Sequence, residues 1–133
     1  VFSCNHCPYV QAYEDRFVAL QRELGPRGFQ LLAINANDAA GYPEDSFEAM
    51  RVRAAERGFN FPYLRDEDQS VARAYVAART PQVYLGRIDD SWDRPEAVRR
   101  SELREAVEDL LAGRPVAVPE TFAVGCTIKW KPA

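Results

Sequence analysis

Cysteine, histidine and charge of one sign are all scarce in this chain of 133 residues. It contains three cysteines, one histidine and one methionine, and its formal charge is only −3. Three cysteines are too few for the disulfide framework that stabilises many small secreted domains. Basic and acidic residues are interspersed along the chain, so no basic patch for nucleic acid stands out, and we expect no nucleic-acid partner.

Long apolar runs are also lacking. No segment reaches the roughly 20 apolar residues that a membrane-spanning helix needs, so we expect no membrane span. The first residues, from Val1 to Cys4, show no signal-peptide pattern, no initiator Met and no lead-in strand. We therefore expect the natural N-terminus, with an N-terminal strand, to be missing from the sequence. The compartment is not determined, with a cytoplasmic location favoured.

The composition is that of a globular protein, with 47% hydrophobic and 28% charged residues. Apolar residues spaced by three and four predict an amphipathic helix over residues 8–24, which Gly25 and Pro26 end. A continuous apolar run then predicts a buried strand over residues 29–34. Asp45, three residues before Glu48, resembles a capping box that opens a second helix through Arg57.

The rest of the chain continues this alternation of strands and helices. We predict a strand at 61–64, a third helix around 71–78, a strand at 83–85 and a last helix from Ser101 that Gly113 ends. This order favours an α/β fold with a central, mainly parallel sheet flanked by helices. Residues 1–113 are expected to form one domain and residues 114–133 an extended C-terminal arm, which holds three of the nine prolines.

Two of the cysteines form a Cys-x-x-Cys segment, Cys4-Asn5-His6-Cys7, at the start of the first predicted helix. Free backbone N–H groups and the macrodipole stabilise an anion at a helix N-terminus. We therefore expect Cys4 to be the thiol of lower pKa and the attacking thiolate, and Cys7, one turn later, to close a disulfide with it. The segment predicts a thiol–disulfide oxidoreductase whose catalytic residues are Cys4 and Cys7.

Metal binding and chemical inertness are the alternatives for this pair. Cys-x-x-Cys supplies half of many zinc sites, but only Cys126 and His6 remain as further cysteine or histidine ligands, so we expect no metal. A c-type haem requires His directly after the second cysteine, where this chain has Pro8. No organic cofactor is implied, because electrons enter through thiols. The inert alternative is a pair of buried thiols that never cycle.

Residues beside the pair are candidates for supporting roles. A cationic or hydrogen-bonding His6 would favour the thiolate and make the pair more oxidising, unless it is a solvated loop residue. Cys126 is either a third redox-active cysteine or a buried free thiol. A buried acid near Cys7 would shuttle its proton, and the candidates, each with a cap or turn as the alternative role, are Asp38, Asp45, Asp66, Asp89 and Asp90.

Several short motifs spread over almost the whole chain resemble one family. They are Cys4-Asn5-His6-Cys7-Pro8-Tyr9, the segments at 33–38, 42–46 and 61–64, Thr80-Pro81, and Gly125-Cys126-Thr127-Ile128-Lys129-Trp130-Lys131. In this combination the sequence resembles the peroxiredoxin-like branch (redoxin or AhpC/TSA-like) of the thioredoxin superfamily. The resemblance implies a thioredoxin-like fold, a redox-active centre with antioxidant activity, and protein or small-molecule thiols and disulfides as partners.

The resemblance also implies roles for Thr80 and Pro81. Pro81 is expected to be a cis-proline that faces the cysteine pair, and Thr80 to offer backbone groups to a bound substrate. Relatives usually have a longer hairpin after this dipeptide, so part of it is expected to be missing here.

Two alternative functions accompany the resemblance. Peroxiredoxins carry a Thr three residues before the peroxide-attacking cysteine, and alignment of that cysteine with Cys7 puts Cys4 at the Thr position. The hydroxyl that orients peroxide is then absent, which favours disulfide exchange over a thiol peroxidase. The second alternative is a thioredoxin-fold interaction module with idle cysteines, which is compatible with a buried Cys4 sulfur.

Overall fold

A three-stranded parallel sheet forms the centre of the protein, which the computed structural model describes over residues 1–83 and 86–132. Its strands lie in the order β1 (Phe2–Ser3), β2 (Ala33–Asn35) and β3 (Tyr63–Arg65). A second, antiparallel pair joins β4 (Arg79–Thr80) to β5 (Cys126–Thr127). Two backbone hydrogen bonds between Phe2 and Gln82, of 2.8 and 3.1 Å, connect β1 to the segment that follows β4.

The described residues also form four α-helices. These are α1 (Pro8–Leu24), α2 (Phe47–Glu56), α3 (Ser70–Ala74) and α4 (Glu102–Leu111). Short 3-10 helices lie at Gly25–Arg27, Pro43–Asp45 and Pro95–Ala97. Strands and helices alternate around a mainly parallel sheet, so the predicted α/β class is confirmed. Among the described helices, we find none with the length and apolar character needed to cross a membrane.

Some elements differ from their predicted bounds. The sequence suggested no lead-in strand before Cys4, yet β1 occupies that place because Val1 accepts a hydrogen bond from Ile34 N–H at 2.8 Å. β2 is shorter than predicted, because the N–H of Leu31 donates to Gln21 Oε1 at 2.7 Å and not to a neighbouring strand. Helix α3 ends early, at Ala74, ahead of Val76, whose φ of 51° is not helical.

The start of α2 also corrects a prediction. Asp45 does not cap this helix: the N-cap is Ser46, whose side chain accepts a hydrogen bond from Ala49 N–H at 3.3 Å. Asp45 lies one residue earlier, in a 3-10 helix, and is fully buried. Its carboxylate turns towards the Cys-x-x-Cys segment.

One face of α1 supplies much of the core. Its buried side chains pack against the sheet and α4, in a cluster of Tyr13, Phe17, Leu20, Leu24, Leu31, Ala33, Phe61, Val83, Ile88 and Val107. On the same helix, buried Glu14 accepts hydrogen bonds from Arg53 at 2.9 and 2.8 Å and from Arg57 at 2.8 Å. These ion pairs hold α2 beside α1 next to the cysteine pair.

The expected C-terminal arm returns to the body of the protein and supplies β5. Ile128 is buried and donates its N–H to the Ala78 carbonyl oxygen at 3.0 Å. The end of α4 is as predicted, with Gly113 at a φ of 69° directly after the helix. Of the strand predicted at 83–85, residues 84 and 85 lie outside the described residues.

Candidate active site

Cys4 and Cys7 lie at the junction between β1 and α1. Cys4 follows the strand, and Cys7 is the N-cap residue of the helix, with Pro8 as its first residue. Both are free thiols and both are buried, with exposures of 1% and 0%. Val10, Tyr9 and Cys126 pack against them.

Thr80, in strand β4, contacts the sulfurs of both Cys4 and Cys7. Its Oγ1 lies 3.3 Å from Cys4 Sγ, and its carbonyl oxygen lies 3.0 Å from Cys7 Sγ and accepts the thiol proton when Cys7 is protonated. The Thr80–Pro81 bond is cis, as the resemblance implied. Thr80 therefore lies where β4 meets the Cys-x-x-Cys segment.

The hydrogen bonds around Cys7 favour its thiolate. A hydrogen bond from the Cys4 thiol, above all, lowers the pKa of Cys7 to about 4, against the effect of burial. The Cys126 thiol and the backbone N–H groups of Val10 and Cys126 act in the same direction. Several donors thus favour the charged form of this sulfur, whereas the Thr80 carbonyl oxygen favours the protonated form.

Cys4 is the protonated partner. Its hydrogen bond to Cys7 and its burial raise its pKa, and the nearby charge of Asp45 adds to this, while the Thr80 hydroxyl opposes it. These directions are opposite to the prediction that Cys4 has the lower pKa. The reason is that the helix begins only at Pro8, so the free N–H of its first turn, at Val10, serves Cys7.

Cys126 is the third sulfur of the cluster. It lies opposite Thr80 in the β4–β5 register and is partly exposed. Burial and its hydrogen bond to Cys7 raise the pKa of Cys126 to about 11, so it is a thiol while Cys7 is charged.

Asp45 is the polar centre beneath the pair. Its carboxylate accepts four hydrogen bonds: from Asn5 N–H at 2.6 Å, His6 Nδ1 at 2.6 Å, Asn37 Nδ2 at 2.8 Å and Asn35 Nδ2 at 3.2 Å. A fully buried carboxylate needs such partners to remain stable in the interior.

His6 connects this centre to the surface. Its side chain is 21% exposed, pairs with Asp45, and stacks on Tyr42 with ring centroids 5.2 Å apart and planes 10° apart. It is therefore an ordered part of the site. Ligand atoms of Cys4, His6 and Asp45 lie within 4.8 Å of one another, a donor set that zinc accepts, but the described residues add no fourth Cys, His, Asp or Glu to this group.

Asp45 is the carboxylate, among the five candidates, that contacts the Cys-x-x-Cys segment. The other four have cap, turn or ion-pair roles: Asp38 binds Ala40 N–H, Asp66 binds the N–H groups of Val71 and Ala72, Asp89 binds Tyr13 and Arg16, and Asp90 binds the N–H groups of Arg99 and Arg100.

Sequence reasoning missed Asn5, Asn35, Asn37 and Tyr63, which complete the network. The Tyr63 hydroxyl donates to Asn5 Oδ1 at 3.0 Å, and Asn35 Nδ2 donates to that hydroxyl at 3.3 Å. A signal was present, because Asn35 and Asn37 follow directly on a buried apolar strand, where a parallel sheet presents its carboxyl ends.

Two clefts border the site. One, of about 760 Å³, lies between the Cys-x-x-Cys segment and α2, and its lining includes Asn5, His6, Gln11 and Glu44. The other, of about 270 Å³, lies beside β4 and is lined by Arg79, Gln82 and residues 120–123 of the C-terminal arm. The first cleft opens beside the two residues between the cysteines, Asn5 and His6, and the second opens beside Arg79, the neighbour of Thr80.

Comparison with known proteins identifies the family of this chain. A family model described as the AhpC/TSA family matches residues 1–126. The chain belongs to the AhpC/TSA family. A search of curated proteins found no match.

Two solved structures are similar to this AhpC/TSA protein over 99% of its length. An uncharacterized conserved protein from Geobacillus kaustophilus is 43% identical, with a TM-score of 0.90 and 76% of that chain covered. A hypothetical protein from Sinorhizobium meliloti 1021 is 33% identical, with a TM-score of 0.88 and 78% of that chain covered. The predicted thioredoxin-like fold and family resemblance are confirmed, and family membership supports a redox function.

Proposed function

We propose that this AhpC/TSA protein is a thiol–disulfide oxidoreductase that cycles Cys4 and Cys7 between dithiol and disulfide. The observation that supports this most is the packing of Cys4 and Cys7 in one buried cluster with Thr80 in contact with both sulfurs, so that Cys7, whose pKa is lowered, has its exchange partner beside it. A stabilised thiolate also stabilises the reduced form, so the couple is expected to be more oxidising than thioredoxin.

The exchange proceeds in two displacements. The Cys7 thiolate attacks one sulfur of a substrate disulfide, the substrate S–S bond breaks, and one half leaves as a thiolate. Cys4 then loses its proton to the His6–Asp45 pair and attacks the Cys7 sulfur, which releases the second half as a thiolate. The enzyme disulfide forms, and two electrons pass to the substrate. Attacker and resolver are therefore exchanged relative to the sequence-based expectation.

Thr80 and Pro81 are the proposed substrate-binding residues. Thr80 contacts both sulfurs, and Pro81 is buried beside it. A substrate sulfur in line with Cys7 must therefore approach along this dipeptide. Because the sulfurs are buried, we expect a small disulfide, or the narrow end of a larger one, to react more readily than a folded protein surface.

Trapping of the mixed disulfide tests this function. Reduced full-chain protein is treated with oxidised glutathione, alkylated, and mapped by mass spectrometry. In a Cys126→Ser background, Cys4→Ser is expected to accumulate a glutathione adduct on Cys7, because no neighbouring thiol is left to resolve it, while Cys7→Ser accumulates none on Cys4. If the Cys4→Ser/Cys126→Ser variant carries no adduct on Cys7, the proposed chemistry is wrong.

Peroxide reduction is a second candidate, favoured by one specific contact. The Thr80 hydroxyl lies 3.3 Å from Cys4 Sγ, so a hydroxyl adjoins the pair even though the Thr position of the peroxiredoxin motif is Cys4. The Cys7 thiolate would attack the O–O bond, leaving an alcohol or water and a Cys7 sulfenic acid, which Cys4 would condense to the disulfide with loss of water. Stopped-flow rates with hydrogen peroxide and with oxidised glutathione compare the two candidates directly.

The interaction-module alternative is also consistent with one feature, the burial of Cys4. A module with idle cysteines has no need of a stabilised thiolate, however. It predicts no turnover with either oxidant, and the same two rate measurements therefore test it.

A further inference from the structure

The C-terminal strand β5 occupies the edge of β4 at the active site. Arg79 pairs with Thr127, and Thr80 pairs with Cys126, in antiparallel register. Gly125 lies so close to this edge that a Cβ added there would stand 2.2 Å from the Thr80 carbonyl oxygen. A substrate strand proposed to lie along Thr80 would therefore meet a strand of the protein itself.

This strand brings a sulfur to the pair. Cys126 packs on the cluster of Cys4, Cys7 and Val10, and its thiol is one of the groups that lower the pKa of Cys7. Cys7 is thus accompanied by two thiols in one cluster. Cys4 is buried, whereas Cys126 is partly exposed.

We propose that β5 acts as an internal substrate strand and that Cys126 is a third redox-active residue, which passes the disulfide from the buried pair to thiols outside. This inference rests on the proposed function of Cys4 and Cys7. The contact of Cys126 with Cys7, together with its greater exposure than either partner, carries it.

The relay is an exchange of one disulfide for another. In the oxidised protein Cys126 loses its proton and attacks the Cys7 sulfur, the Cys4–Cys7 bond breaks, and Cys4 leaves as a thiolate that takes up that proton. A partner thiolate then attacks Cys126 and forms a mixed disulfide, with Cys7 as the leaving thiolate. A second partner thiol releases the reduced protein, so a partner dithiol supplies the two electrons.

Disulfide mapping and reduction kinetics of the full chain test the relay. Cys4→Ser, oxidised with diamide, is expected to form a Cys7–Cys126 disulfide. Cys126→Ser is expected to form the Cys4–Cys7 disulfide normally, but its reduction by a protein dithiol such as thioredoxin should slow by about tenfold, with little change for dithiothreitol, which is small enough to reach the pair. Thr127→Ser, on the same strand with an exposed side chain, is the matched control.

The outcomes distinguish a failure of the relay from a failure of the proposed function on which it rests. If Cys126→Ser forms Cys4–Cys7 and is reduced by thioredoxin at the wild-type rate, the relay is wrong and the oxidoreductase stands. If Cys4→Ser forms no Cys7–Cys126 disulfide, the relay is wrong on geometry. If wild type and Cys126→Ser both lack a Cys4–Cys7 disulfide, the proposed function fails and the relay fails with it.

Discussion

Asp45 Oδ2 lies 2.6 Å from His6 Nδ1, directly beneath the Cys-x-x-Cys segment. The carboxylate has no exposed surface, and its four hydrogen bonds tie that segment to β2 and to the loop after β2. It therefore stabilises the site, and in the proposed exchange it accepts the Cys4 proton together with His6.

Replacement of Asp45 tests its role in stability. Asp45→Ala removes the acceptor that the buried donors of Asn5, Asn35 and Asn37 share, and we expect a loss of about 2–4 kcal/mol in the free energy of unfolding. Urea unfolding of the reduced protein measures it. Glu44→Gln, an exposed change in the same 3-10 helix, should stay within about 0.5 kcal/mol of wild type. Equal midpoints for the two variants would contradict the assignment.

Position 125 requires glycine because the backbone of Thr80 leaves no room for a side chain there. A methyl group at this position would overlap the Thr80 carbonyl carbon at 2.7 Å and its oxygen at 2.2 Å. We expect Gly125→Ala to displace β5 and cost about 1–3 kcal/mol. Gly41→Ala meets only the end of the Asp38 side chain, at 3.3 Å, and should be nearly neutral. Thermal unfolding compares them, and an unaffected Gly125→Ala would show that β5 does not lie against Thr80.

The ionisation of Cys7 gives a pH-dependent signal. Because its pKa is lowered to about 4, the reduced protein should retain one thiolate in the neutral range and lose its ultraviolet absorbance only as the pH falls through about 4. Cys7→Ser should remove this step. A first thiolate that appears only near the ordinary thiol pKa of about 8.5 would refute the assignment.

The lowered pKa of Cys7 also makes the free energy of unfolding depend on pH. The unfolded chain binds more protons than the folded protein between pH values of about 4 and 9, so the Cys7 contribution rises with pH across that window. It is fully present above the unfolded pKa and is lost as the pH falls through the folded one. The stability difference between wild type and Cys7→Ser should therefore widen from acidic to neutral pH.

Glu14 carries a buried charge that Arg53 of α2 and Arg57, the residue after α2, neutralise. Glu14→Ala leaves Arg53 without its partner, leaves Arg57 with only the exposed Asp15, and opens a cavity, and we expect a cost of about 3–5 kcal/mol. Asp15→Asn removes only a pair whose acid is 85% exposed, so it should change the free energy of unfolding by less than about 0.5 kcal/mol. Similar urea midpoints for both variants would show that burial does not distinguish these ion pairs.

Local patterns predicted the helices better than the site. The bounds of α1 followed from its apolar spacing, because Pro8 begins it and Gly25 and Pro26 end it. The lower pKa of Cys7 depended on a single residue at the helix start, which spacing does not resolve. The contact between Cys126 and Cys7 arises because β4 pairs with β5, and these two strands are far apart in the sequence. The burial of Asp45 arises from the fold of its 3-10 helix. Local sequence patterns indicate neither the contact nor the burial.

The reduction potential of the Cys4–Cys7 couple is the decisive measurement for the proposed exchange. The full chain is equilibrated with glutathione buffers, and the disulfide is mapped by mass spectrometry. We predict a reversible Cys4–Cys7 disulfide with a potential above the roughly −270 mV of thioredoxin, because the Cys7 thiolate stabilises the reduced form. Failure of that disulfide to form, with zinc bound to the protein or with peroxide converting Cys7 to a sulfenic acid that Cys4 leaves unresolved, would contradict it.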